Sequence, residues 1–185
     1  MKDRRQIRRL AFLLLLVFGG ELGRAAAARA QGANEYQVKA AFLFNFVKFI
    51  EWPAEAFSDD GAPLVIGVVG QDPFGGYLDR AAGGKSVNGR QLLVRRFKWG
   101  EDLRACHVLF VCSSERKHLA QIIARLRGAT VLTVGDMDQF TQQGGGIHFV
   151  TEASRMRFEI NARAAAQARL KISSKLLALA RAIVN

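Results

Sequence analysis

Leu64-Val-Ile-Gly-Val-Val69 is nearly all β-branched or aliphatic. A continuous apolar run of that length predicts a strand buried on both faces, as in parallel sheets covered by helices. Gly70-Gln-Asp-Pro-Phe-Gly-Gly76 then reads as a turn into a short helix through about Ala82, which Gly83-Gly84 ends. Strand, turn and helix in succession open an α/β unit. The same grammar recurs downstream. His107-Val-Leu-Phe-Val-Cys112 is a second buried strand, Ser113-Ser114 are helix caps, and Leu119, Ile122, Ile123 and Leu126 share one face of a helix from Glu115 to Arg127. Thr130 to Val134 is a third such strand, and a short helix from Met137 to Gln142 leads to Gly144-Gly-Gly146.

Two regions read differently. Gln91 to Trp99 alternates and fits a strand nearer an edge. Ile147 to Val150 and Met156 to Ile160 also alternate, with five residues between them, and predict an antiparallel hairpin. Asn161 then caps a helix through Gln167, and Ser173 or Ser174 caps another carrying Leu176, Leu177, Leu179, Ala180 and Ile183. The expected architecture is a three-layer α/β/α sandwich with a mostly parallel sheet and a C-terminal antiparallel hairpin.

Upstream, Tyr36 to Pro53 (YQVKAAFLFNFVKFIEWP) places four phenylalanines and a tryptophan in 18 residues. It reads as one largely buried helix stopped by proline. A membrane span takes about 20 apolar residues, and Lys39, Asn45 and Lys48 interrupt this run. A helix so apolar must pack on the sheet and leaves its two lysines few places to point, so Lys39 and Lys48 are candidate partner-facing residues.

The chain begins with Lys2, Arg4, Arg5, Arg8 and Arg9, continues with an apolar run from Leu10 to Phe18 and reaches Ala28-Arg-Ala30. That is the pattern of a secretory signal peptide over residues 1–30, leaving a single exported domain over 31–185. The leader carries seven of the 27 Lys and Arg and two of the 16 Asp and Glu, so the remainder is net +6. Moderate basicity without a Lys/Arg block argues against a nucleic-acid arm, while an acidic protein partner or membrane surface fits. Cys106 and Cys112 lie at the two ends of the second strand, where six steps of about 3.3 Å hold them roughly 20 Å apart. A disulfide between them needs about 7 Å or less.

The search for chemistry finds little. Gly84-Lys85-Ser86 ends like a phosphate loop, but the first glycine would have to be Asp79, and the segment follows a helix instead of a strand. His107, His118 and His148 are scattered, with no H-x-x-x-H or C-x-x-C pair. There is no G-x-S-x-G elbow. Asp136 follows the third strand at the end where α/β sheets bind ligands, so a small-molecule pocket is expected near Asp72, Phe74 and Asp136. On the final hairpin and following turn, Arg157, Glu159 and Lys171 are candidate interface residues because alternating edge strands leave charged side chains available. No cofactor or metal site is expected, and binding or regulation is favoured over catalysis.

Six segments in order carry a sharper reading: Tyr36 to Pro53, Cys106 to Val111, Leu132 to Val134, Gly144-Gly-Gly-Ile-His-Phe149, Phe158-Glu-Ile-Asn161 and Leu170-Lys-Ile-Ser-Ser-Lys-Leu-Leu177. Together they resemble the YfiR family of periplasmic proteins. The resemblance implies an α/β fold, often dimeric, and a regulator that binds the periplasmic region of an inner-membrane diguanylate cyclase, represses cyclic-di-GMP production and biofilm formation, and is itself drawn off by an outer-membrane lipoprotein. The alternative it implies is a small-molecule sensor subunit acting on a histidine kinase or other membrane sensor. Two departures stand out. Some relatives carry two disulfides, whereas this chain has two cysteines; and Arg169 stands where the family usually has glycine, which costs roughly 1 kcal/mol if a helix ends there with φ above zero.

Overall fold

The computed structural model describes residues 32, 35–98 and 100–184. The chain divides into a unit up to Tyr36 and a unit from Gln37 to Asn185, and the second carries the architecture below. The expected leader, residues 1–30, lies outside the described residues.

An eight-stranded sheet organises this unit. Its strands are β2 (Leu64–Val69), β3 (Ser86–Val87), β4 (Arg90–Phe97), β5 (Val108–Val111), β6 (Leu132–Gly135), β7 (Ile147–Glu152), β8 (Arg155–Asn161) and β10 (Ala182–Val184). They lie in the order β10-β8-β7-β6-β5-β2-β4-β3. Only the β7–β8 and β3–β4 pairings are antiparallel, so the sheet is mostly parallel, as the buried apolar runs predict. A separate two-stranded ribbon joins β1 (Ile50–Glu51) to β9 (Lys171–Ile172).

Register fixes the layers. Phe110 pairs with Val134 and Val134 with Ile147, so these three side chains share a face with Phe149, two residues on. Phe46 of α1 (residues 37–46 of this unit) stacks on Phe149 at 5.6 Å and meets Phe158 edge-on at 5.1 Å, which seats α1 there. Leu109 and Val111 point the other way and join Val69, Phe97, Leu119 and Ile122 in one core, so α3 (Leu119–Arg125) covers the opposite face. Helices on both faces of the sheet give the expected α/β/α layering. The remaining helices are α2 (Tyr77–Ala82), α4 (Ala162–Gln167) and α5 (Ser174–Leu179). The Asn161 side chain accepts from Ala164 N at 2.8 Å and Ser173 caps α5, as expected at both positions.

Four expectations are corrected. The Tyr36 to Pro53 segment is not one helix: it ends at Phe46, where Lys48 N bonds Asn45 O and Phe49 N bonds Phe46 O in tightened i→i−3 turns. Phe49 O then accepts from Ser173 N, and Ile50 pairs with Ile172, so the chain satisfies its backbone in the ribbon instead. Met137 to Gln142 forms turns, because Gln139 adopts φ 60°, a conformation that a right-handed helix cannot contain. The hairpin loop is two residues, Ala153-Ser154 at φ 47° and 60°, the paired left-handed geometry that matches strand twist. Finally, the last helix stops at Leu179, and Ala182 to Val184 peel away to pair in parallel with β8. Arg169, just past α4, adopts the left-handed conformation at φ 57°, which meets the condition under which it is strained relative to glycine.

Candidate functional site

The C-terminal ends of β2, β5 and β6 bring together the loop after Val69, Cys112 to Glu115, and Asp136. Gly70, at φ 100°, lets the chain pass this crowded point, since a Cβ there would lie 2.5 Å from Ser114 Oγ. Gln71 N donates to that same hydroxyl at 2.9 Å, locking the two loops together. Asp72 turns its own loop by accepting from Phe74 N at 2.7 Å, and its other oxygen accepts from Arg96 Nε at 2.9 Å. Arg96 also grips Asp79 through two bonds of 2.6 Å and donates to Gly75 O. That hydrogen-bonded guanidinium holds the Asp79 carboxyl below its ordinary range.

Asp136 is engaged as well. Its Oδ2 lies 2.7 Å from Lys39 Nζ, with the two side chains 8% and 3% exposed. The pair ties α1 to the end of β6, and the expectation that Lys39 faces a partner is corrected: it is buried. Phe74 is corrected too, being fully buried with its ring edge-on to Phe110 at 4.8 Å, as part of the core. Burial, reinforced by the carboxylates of Asp72, Asp136 and Glu115, pushes the Cys112 thiol up to about 12, so it stays a neutral thiol. Cys106, at the other end of β5, is likewise buried, free and pushed up to about 12, chiefly by burial. At this end of the sheet Asp72, Asp79 and Asp136 are thus each engaged by a cation, Arg96 or Lys39.

The opposite end of the sheet carries an aromatic cluster. His107 stacks on Phe57 at 4.4 Å and meets Trp52 edge-on, and Arg90 lies 3.7 Å over the Phe57 ring. His107 Nδ1 accepts from Val65 N at 3.1 Å, which assigns the proton to Nε2 facing Ala56 O. Burial lowers the His107 pKa by penalising the charged ring, and the nearby Arg90 cation adds to the shift.

The hairpin residues separate by role. Arg157 and Lys171 are exposed, whereas Glu159 is enclosed between Arg181 (2.7 Å) and His148 (3.4 Å), joining β10 to the hairpin. Lys48 is exposed with its ammonium 4.0 Å over Phe44, a ring that Lys85 also approaches at 4.2 Å. The structure therefore does not bring the candidate interface residues into one cluster. The described residues hold no group of three or more His, Cys, Asp or Glu placed to bind a metal.

Sequence reading missed a cleft of about 700 Å³ between the end of α3, the start of β6, the 142–146 turn and α4. There β6 and β7 pair at only two positions, Val134 with Ile147 and Gly135 with His148, so Leu132 and Thr133 lie outside that ladder and meet Gly146 of the turn instead. The triple glycine builds its floor. Gly144 takes φ 95°, the Gly145 Cα faces the Phe140 ring, and Gly146 N donates to Thr133 Oγ1 at 2.9 Å. The one sequence signal for the cleft is that triple glycine, which reads equally as a turn.

The class that the fold defines is a mostly parallel α/β domain with helices on both faces of its sheet. The family comparison is specific. Residues 36–181 match the model of the YfiR/HmsC-like family, and the chain belongs to that family. At family level that membership supports a regulatory role in cyclic-di-GMP signalling. No curated protein matches the chain. Among solved structures it is similar to a conserved domain protein from Vibrio cholerae O1 biovar El Tor, at 14% identity and TM-score 0.49, over 64% of this chain and 54% of that one. It is also similar to an ABC domain from Streptococcus pneumonia in complex with L-Trp, at 11% identity and TM-score 0.50, over 65% of this chain and 55% of that one. The chain thus spans just over half the length of each, and likeness at such identity bears on the fold alone. No described helix is long and apolar enough to cross a membrane.

Proposed function

We propose that this protein is an exported inhibitor of a membrane-bound diguanylate cyclase, acting by binding the cyclase's periplasmic sensor region without chemistry of its own. The observation that carries the reading is the family match across residues 36–181. The site geometry supports it by what the titratable groups do: Asp72, Asp79, Asp136 and Glu159 each hold a cation that fixes a loop or strand. The exposed cations Lys48, Arg157 and Lys171 are then the groups for an acidic partner surface. An outer-membrane lipoprotein that withdraws the inhibitor, and a homodimeric state, complete the proposal.

Deleting the gene tests it. Cyclic-di-GMP rises in the deletion strain, returns on complementation, and the tagged protein co-purifies with a membrane cyclase. Unchanged cyclic-di-GMP, together with no cyclase on the affinity column, would end the proposal.

A further inference from the structure

The cleft beside α4 has properties that specify a ligand chemistry independently of the regulatory reading. Its volume of about 700 Å³ lies within the range of small-molecule sites, roughly 300–1,000 Å³. One wall is apolar, formed by Ile123, Leu126, Val131, Leu132 and Leu170. Along α4 the lining residues are Ala164, Ala165 and Ala168, whose single methyl groups leave the space open.

The rim has a definite sign. No Asp or Glu lines the cleft, whereas Arg127 does, and its guanidinium has no carboxylate partner among the described residues. Gln142, Gln143 and Gln167 add amide groups, each able to donate two hydrogen bonds. A smaller cavity of about 260 Å³ shares Gln142, Gly144, Ala164 and Gln167 with it and adds Arg163, again without an acid in its lining. An apolar wall beside a guanidinium matches one anionic head on an apolar body, because the body leaves water for the cleft while the head takes a planar, bidentate partner. A purely apolar ligand leaves the guanidinium unused, and a cation meets it with like charge.

We propose that this cleft is a binding site for a small amphipathic carboxylate, its apolar body against Leu126, Val131 and Leu170 and its head group at Arg127. The splayed β6–β7 pairing and the 144–146 glycines build the site into the fold, so it exists before any ligand arrives.

Octanoate is the probe. Titrated into the purified protein and followed by calorimetry and by ¹⁵N amide shifts, it binds at one saturable site, and the shifts concentrate at residues 128–132, 142–146 and 164–168. Octan-1-ol, with the same body and no charge, binds about tenfold more weakly. Arg127→Gln weakens octanoate about tenfold and leaves octanol unchanged, while Ala168→Trp, which fills the cleft, removes both. Where Ala168→Trp fails to fold, the shift map and Arg127→Gln decide alone. Absence of saturable binding, shifts that map elsewhere, or equal affinity for octanol and octanoate would overturn the proposal.

Discussion

The Phe140 ring is enclosed by two glycines, with Gly135 on one side and Gly145 on the other, so close that a Cβ on either would collide with it. Glycine here makes room for an aromatic ring that seals the core under α3. Gly145→Ala therefore overpacks the site and costs about 1–3 kcal/mol in denaturant unfolding. In a Phe140→Leu background, where the ring is gone, the same substitution costs less than half as much; strict additivity of the two changes would contradict the contact. His107 makes a pH prediction. Its folded pKa is lowered from 6.5 by burial, so the unfolded chain takes up the proton first as pH falls. The His107 contribution is full above about pH 6.5 and is lost as pH drops below that value. His107→Gln keeps an acceptor for Val65 N and a donor for Ala56 O, and its midpoint between pH 7 and pH 5 falls less steeply than that of the parent. Parallel profiles would show that His107 does not carry the dependence.

At the scale of elements, α1 shows what is and is not legible in a sequence. Its burial is readable from Ala40, Leu43, Phe46 and Val47, all within 1% of full burial. Its end is not, because Val47 to Glu51 choose between continuing the helix and pairing with β9, and β9 lies 120 residues further on. The same non-local competition hides β10: Ala182 to Val184 suit a helix locally, and only the open edge of β8 makes them a strand. The buried strands were readable since Leu64 to Val69 and His107 to Cys112 are apolar on both faces. The cleft was not, as it depends on where β6 and β7 cease to pair. Two substitutions test α1. Phe46→Ala removes a ring stacked on Phe149 and edge-on to Phe158 and costs about 3–5 kcal/mol, whereas Lys48→Ala loses an exposed cation–π contact and an exposed hydrogen bond to Asn45 and shifts stability by about 0.5–1 kcal/mol. Lys39→Met strands the Asp136 carboxylate in the core and costs about 3–5 kcal/mol, most of which Lys39→Met/Asp136→Leu recovers. Equal stability of the single and double variants would mean the pair is not coupled.

For the whole molecule, charge is divided between groups that hold the fold and groups that face outward, and the final hairpin carries one of each within three residues. Glu159 is enclosed by Arg181 and His148 and anchors β10 to β8, while Arg157 stands exposed on the same strand with no carboxylate partner among the described residues. If the hairpin docks onto an acidic surface of a membrane cyclase, reversing these two charges must fail in different ways. Arg157→Glu leaves thermal unfolding within about 0.5 kcal/mol of the parent, because a solvated side chain contributes little to folding. It slows association with the partner, since like charges now meet, and cyclic-di-GMP rises in cells carrying it. Glu159→Lys places a cation against Arg181 and His148, releases the edge strand and lowers the unfolding midpoint whether or not a partner is present. Circular dichroism melts separate the two before any cellular assay is run. An Arg157→Glu protein that melts normally and still represses cyclic-di-GMP to parental levels would remove the hairpin from the interface and leave the exposed cations Lys48 and Lys171 as the next surface to reverse.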